Sequence, residues 1–161
     1  MKTHVKEPLE ALLEGFYDVI PKDKVSIFTA DELELLLSGK PDFDVDDMKK
    51  NVTYEGGFTA ASPQIKWLFE ILREFNPSQR GKFLFFATGS TRVPANGFLG
   101  LLGLSGPCNF KICMKDTQDL SSLPTASTCF NKYYLPKYGN KKIEREKILM
   151  SLNETEGFGL S

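Results

Sequence analysis

Residues 62–89 read SPQIKWLFEILREFNPSQRGKFLFFATG, which writes two helices with almost nothing between them. Ser62 caps the first, and Pro63 takes its first position, where the missing N–H is no loss. Ile65, Leu68, Phe69, Leu72 and Phe75 recur at helical spacing and mark a buried stripe. Asn76 caps the second helix, with Pro77 at its first position and Gln79 placed to complete a capping box. A fold built on this block must turn at Phe75–Asn76–Pro77, the expected hinge between two pieces.

Upstream, Val5, Leu9, Leu12, Leu13, Phe16 and Ile20 fall mostly at helical spacing, and Pro21 ends that helix. In TADELELLLSG, Thr29 and Glu32 form a second capping box and Gly39 supplies the stop. The alternating Asp42, Asp44 and Asp46 resemble a calcium loop. That loop wants Gly and Glu where Asp47 and Thr53 stand, so the acids read instead as the start of a short helix. Gly56-Gly57 breaks the chain. Beyond Gly89 the texture changes to glycines, prolines and short apolar pieces. NFKICMK alternates as a half-buried strand, and CFNKYYL is a second strand closed by Pro136. A last helix runs through Ile143, Ile148, Leu149 and Leu152, followed by a short tail, EGFGLS. Gly97, Gly100, Gly103 and Gly106 lack the Gly-Lys-Ser/Thr ending of a phosphate loop and read as turns and close-packing points. The expected class is α+β: a mostly helical segment over residues 1–76, then an α/β piece over 77–161 with a small sheet.

Composition excludes several functions. Hydrophobic residues make up 41% of the chain, enough to bury a core to which 13 phenylalanines contribute. Twenty basic residues against twenty-one acidic ones, with no basic block, give no electrostatic support for a nucleic-acid or membrane-surface partner. No apolar run approaches the ~20 residues of a membrane span. The start, MKTHVKEPLEALLEGF, lacks a signal-peptide core. A cytoplasmic location is expected, with the nucleus also open. Cys108, Cys113 and Cys129 are odd in number and argue against a disulfide framework. The only histidine, His4, lies far from them, so neither a metal site nor a cofactor is expected.

The segment LPTASTCFNKYYLPKY, residues 123–138, sets Cys129 among Ser127, Thr128 and an aromatic, between two Leu-Pro pairs. These neighbours alone leave two readings open, a small buried hydrophobe or a nucleophile. A cysteine hydrolase needs a histidine to activate the thiol and protonate an amine leaving group, and His4 sits in a terminus, where chains fray. Thioester exchange asks less, because the attacking and leaving groups are both thiols. A thiol of ordinary pKa, ~8.5, is already a few per cent thiolate near neutrality.

The chain resembles the C-terminal part of a HECT-type ubiquitin-protein ligase. LPTASTCFNKYYLPKY is similar to the family's active-cysteine segment, and GKFLFFATGSTRVPANGF to the block that opens its C-lobe. ELELLLSGKPDFDVDDMKKNVTYEGGF and SPQIKWLFEIL resemble the end of its N-lobe, and ETEGFGLS its terminus. The resemblance implies that residues 1–76 are the C-terminal portion of the N-lobe and 77–161 the C-lobe. It implies that Cys129 accepts ubiquitin as a thioester from a conjugating enzyme and passes it to a lysine of a substrate protein. Thr128 would support the thiol and Phe158 position the tail for transfer. The ubiquitin tail would dock in extended form along segments 104–107 and 123–130, with Leu104, Ser105, Leu123, Pro124, Thr125 and Phe130 as contacts. Ser127 stands where many members have histidine, so an acid, Glu154 or Glu156, would assist the amine. The missing upstream part would carry the surface for the conjugating enzyme, leaving helices 5–20 and 62–75 with uncovered apolar faces. The alternative is an inactive ubiquitin-binding or interaction module of the same fold.

Overall fold

The computed structural model describes the backbone of residues 6–119 and 121–159, and the side chains of 6–119 and 121–154. The chain divides into two compact units, Met1–Leu37 and Ser38–Ser161.

In the first unit, α1 (Lys6–Val19), α2 (Lys22–Val25) and α3 (Ala30–Ser38) follow the sequence signals closely. Pro21 separates α1 from α2. The Thr29–Glu32 box forms as expected: the Thr29 N–H donates to Glu32 Oε2 at 2.8 Å, and the Glu32 N–H to Thr29 Oγ1 at 3.3 Å. None of the three helices contains a buried residue, and Leu9, Leu12 and Leu13 all stand exposed on α1. The uncovered face expected for this helix is present.

The second unit begins with α4 (Val45–Asn51), which Asp44 caps by accepting the Asp46 N–H at 2.8 Å. It continues through β1 (Thr53–Glu55), α5 (Pro63–Glu74) and α6 (Pro77–Thr88). A 3-10 turn (Gly97–Gly100) leads to the short hairpin β2 (Leu102–Gly103) and β3 (Gly106–Pro107). Then come β4 (Lys111–Met114), β5 (Thr125–Ser127), a second 3-10 turn (Thr128–Phe130), β6 (Lys132–Leu135) and α7 (Lys141–Gly159). The main sheet has the order β1-β4-β6-β5: β1, β4 and β6 run parallel, and β5 is an antiparallel edge strand. Helices α5 and α6 lie in the crossover between β1 and β4, the kind of connection parallel neighbours require. A line of rings forms the core: Phe43–Phe98 at 5.2 Å, Phe98–Phe110 at 5.7 Å, Phe110–Phe83 at 6.3 Å and Phe83–Tyr133 at 5.0 Å.

Three features differ from expectation. The compact units do not coincide with the expected pieces: β1 is a strand of the main sheet and α5 lies within the second unit. Nor is Phe75–Pro77 a loose hinge. Phe75 is buried, Arg80 Nη1 donates to its carbonyl at 2.6 Å, and the same guanidinium holds Asp42 through two bonds of 2.8 and 2.6 Å. Lys141 on α7 bonds Glu70 and Glu74 of α5, each at 2.8 Å. Accordingly α5 buries its apolar stripe, Ile65, Leu68, Phe69, Ile71 and Leu72, and the uncovered apolar face expected for it is absent.

The third difference is the phase and length of α7. The helix buries Glu144, Ile148, Ser151 and Leu152, while Ile143 is exposed. Its backbone also stays helical through Gly159 where a short tail was expected, since a single interior glycine costs a helix only about 1 kcal/mol.

Candidate active site

β5 and β6 form a hairpin in the register Thr125↔Tyr134, Ala126↔Tyr133 and Ser127↔Lys132. The chain reverses through Thr128, Cys129 and Phe130 in a 3-10 turn, closed by the Asn131 N–H donating to the Thr128 carbonyl at 3.2 Å. Asn131 completes the reversal with φ +49°, a conformation that asparagine tolerates better than most residues. Cys129 thus sits on a turn directly ahead of β6, an interior strand whose Tyr133 and Leu135 are wholly buried. A rigid element carries an exposed thiol.

The turn is braced against the β2–β3 hairpin. The Leu104 N–H donates to the Cys129 carbonyl at 2.9 Å, and the Asn131 amide donates to the Leu102 and Cys108 carbonyls at 3.0 and 2.9 Å. Cys108 Sγ lies 3.3 Å from the Phe130 carbonyl. At Gly103 the backbones come so close that an added Cβ would meet the Cys129 carbonyl at 2.9 Å and Cys108 Cβ at 2.8 Å. On another side, a Cβ at Gly89, the cap of α6, would stand 3.7 Å from Thr128 Cβ.

The three thiols are unequal. Cys129 is exposed, Cys108 half-buried and Cys113 buried. Burial, aided by a 3.4 Å bond to Glu55, pushes the Cys113 thiol up to about 11, which makes it inert near neutrality. Hydrogen bonds from Lys132 and Lys111 hold Glu55 down to about 2, and this cluster ties β1, β4 and β6 together. Beside Cys129 the surface is apolar: Leu102, Leu104 and Phe130 are 68%, 77% and 53% exposed. Large exposed apolar side chains grouped in this way mark an interaction surface.

Of the residues singled out in the sequence, Thr128, Cys129 and Phe130 share the turn, and Leu104 bonds it directly. Ser105 is the other loop residue of the β2–β3 hairpin. Thr125 starts the edge strand, Pro124 is buried just before it, and the Leu123 carbonyl accepts from Lys115 Nζ at 2.8 Å. Ser127 ends β5 opposite Lys132, and Glu154 is exposed on α7. The side chains of Glu156 and Phe158, and all of His4, lie outside the described residues. Asn131 was missed. Its one signal in the sequence is an asparagine placed between a turn and a strand.

The fold and site define a class: an α+β unit that presents one exposed thiol on a braced turn beside an apolar strip. The family model for the HECT-domain (ubiquitin-transferase) matches residues 1–161, and the chain belongs to this family. It is similar to the E3 ubiquitin-protein ligase ptr1 of Schizosaccharomyces pombe, 43% identical over 162 residues covering 100% of this chain and 5% of the relative. It is 44% identical to the E3 ubiquitin-protein ligase HUWE1 of Mus musculus over 158 residues, 98% of this chain and 4% of the relative. The E3 ubiquitin-protein ligase TOM1 of Saccharomyces cerevisiae is 43% identical over 162 residues, 100% of this chain and 5% of the relative. The chain therefore spans about one-twentieth of the length of these relatives.

Proposed function

We propose that this chain is the thioester-forming region of a ubiquitin-protein ligase, with Cys129 as the acceptor. The Cys129 thiolate attacks the carbonyl that joins ubiquitin's C-terminus to the conjugating enzyme's cysteine. The tetrahedral intermediate expels that cysteine as a thiolate, leaving ubiquitin on Cys129. A substrate lysine, as a free amine, then attacks the new thioester. An isopeptide bond forms, the amine loses its proton, and Cys129 leaves as a thiolate. The first step exchanges one thioester for another at little free-energy change. It demands exposure and orientation more than a strong base.

The observation that carries this reading is the exposed Cys129 on a turn fixed to both the interior strand and the β2–β3 hairpin. β5 is an edge strand, so an extended ubiquitin tail can add to it while Leu102, Leu104 and Phe130 receive its apolar side chains. The test is a single-turnover assay in which ubiquitin-charged conjugating enzyme meets this chain or its Cys129→Ala variant. A thiol-sensitive adduct formed only by the unaltered chain supports the reading. An adduct retained by the variant contradicts it.

A further inference from the structure

Asn131 is buried, 1% exposed, and is the only non-glycine residue with positive φ among those described. Its four hydrogen bonds radiate in different directions. The backbone N–H closes the Cys129 turn on Thr128, and the carbonyl accepts from Lys111 N–H at 2.9 Å, joining the turn to β4. The two side-chain N–H bonds go to carbonyls on opposite arms of the β2–β3 hairpin, Leu102 in β2 and Cys108 just after β3. Glycine would satisfy the backbone angle at this position. What glycine cannot supply is the pair of side-chain donors, and these reach only the hairpin. The hairpin in turn returns a bond to the nucleophile's own residue, Leu104 N–H to the Cys129 carbonyl.

We infer that Asn131 is a positioning residue for Cys129: it locks the thiol's turn to the β2–β3 hairpin, so that the nucleophile and the apolar strip of Leu102 and Leu104 are presented as one piece. The inference rests on the function proposed above insofar as it concerns transfer; the mechanical coupling stands apart from it. An acyl donor gripped by the strip meets the thiol at a fixed offset only while the two are joined. A small reagent that grips nothing is indifferent to that offset. Asn131 therefore affects reaction with a macromolecular donor and leaves intrinsic thiol chemistry alone.

The test compares the full chain with Asn131→Gly, which keeps the backbone angle, and Asn131→Asp, which replaces the donors with a titrating acid. Three readouts are taken: amide hydrogen exchange at Leu104 and Lys111, iodoacetamide alkylation of Cys129 across pH, and single-turnover ubiquitin transfer. In Asn131→Gly we expect Leu104 exchange to rise at least tenfold while Lys111, whose acceptor is the retained backbone carbonyl, stays protected. Transfer should fall at least tenfold, with the alkylation rate at each pH moving less than twofold. In Asn131→Asp, Leu104 protection and transfer should fall together as pH rises and the introduced acid, facing two carbonyls, ionises. Should Asn131→Gly fail to fold, the Asn131→Asp pH profile decides the matter. Unchanged Leu104 exchange in a folded variant overturns the inference, as does transfer lost only in proportion to the unfolded fraction. If the unaltered chain transfers no ubiquitin, the proposed function fails, and Leu104 exchange still decides whether Asn131 couples turn to hairpin.

Discussion

Leu104 gives its backbone N–H to the carbonyl of Cys129 at 2.9 Å, so the most exposed leucine of the β2–β3 hairpin is one hydrogen bond away from the candidate nucleophile. Gly103, the residue before it, makes that approach possible. Gly103→Ala would press a methyl against the Cys129 carbonyl and Cys108 Cβ. Backbone cannot yield there as a flexible side chain would, and overpacking of this kind costs about 1–3 kcal/mol. The variant should unfold at lower denaturant in an equilibrium titration. Its transfer rate should also fall by more than the stability loss explains.

Burial ranks the three thiols. With limiting iodoacetamide at pH 7.5, Cys129 should label first and Cys108 more slowly. Cys113, pushed up to about 11, should label on the order of 100-fold more slowly than Cys129 until the chain unfolds. Peptide mapping by mass spectrometry checks the order. Labelling of Cys113 at the rate of Cys129 would mean that the sheet edge at Glu55 opens readily.

Glu144 makes alkaline pH destabilising. Its carboxyl is fully buried on α7 with no hydrogen-bond partner among the described residues, as are the Tyr133 hydroxyl and Gln64 Oε1. Burial pushes its pKa up to about 9 from an ordinary 4.5, and burial with Glu144 nearby raises Tyr133 and Tyr138 as well. Below pH 4.5 the acid is neutral both folded and unfolded. Between about 4.5 and 9 only the unfolded chain releases the proton, so stability falls by as much as about 1.4 kcal/mol per pH unit as pH rises. Urea titrations from pH 5 to 9 should show this slope, and Glu144→Leu should remove it while stabilising the protein at pH 8. A flat profile in the unaltered chain would show that the carboxyl is not buried.

The junction of α5 and α6 should behave as a fixed corner. Arg80 binds Asp42 through two hydrogen bonds and the Phe75 carbonyl through a third, and the guanidinium holds the Asp42 carboxyl below its ordinary range. Arg80→Ala should cost about 1–3 kcal/mol, because it leaves a half-buried carboxylate with only the Phe43 N–H as donor and takes the guanidinium from the Phe75 carbonyl. A double-mutant cycle with Asp42→Asn should return a clear coupling energy. Strict additivity would mean the clasp is open in solution.

Local chemistry was legible in the sequence. Thr29 with Glu32 and Asn76 with Gln79 wrote their capping boxes in residues three apart, and the α5 stripe wrote its burial in its spacing. Cys129 stood out through its neighbours and lies where the chain reverses. What could not be read depends on contacts distant in sequence. Thr53–Glu55 is too short to announce a strand, yet it pairs with Lys111–Cys113 and joins the main sheet. The α7 pattern favoured Ile143, but packing against α5 and α6 places Glu144 inward instead. Asn131 gained its role only when β2 and β3 came beside it, and those strands are two residues each.

The most direct measurement supplies the acyl donor without a conjugating enzyme. Ubiquitin carrying a C-terminal thioester to a small alkyl thiol is mixed with this chain, and the products are mapped by peptide mass spectrometry. Acceptance by Cys129 predicts a ubiquitin adduct on that residue, released by added thiol, absent in Cys129→Ala, and at least tenfold in excess over any adduct on Cys108. No adduct on Cys129 while iodoacetamide still labels it, or equal adducts on Cys108 and Cys129, would contradict the assignment.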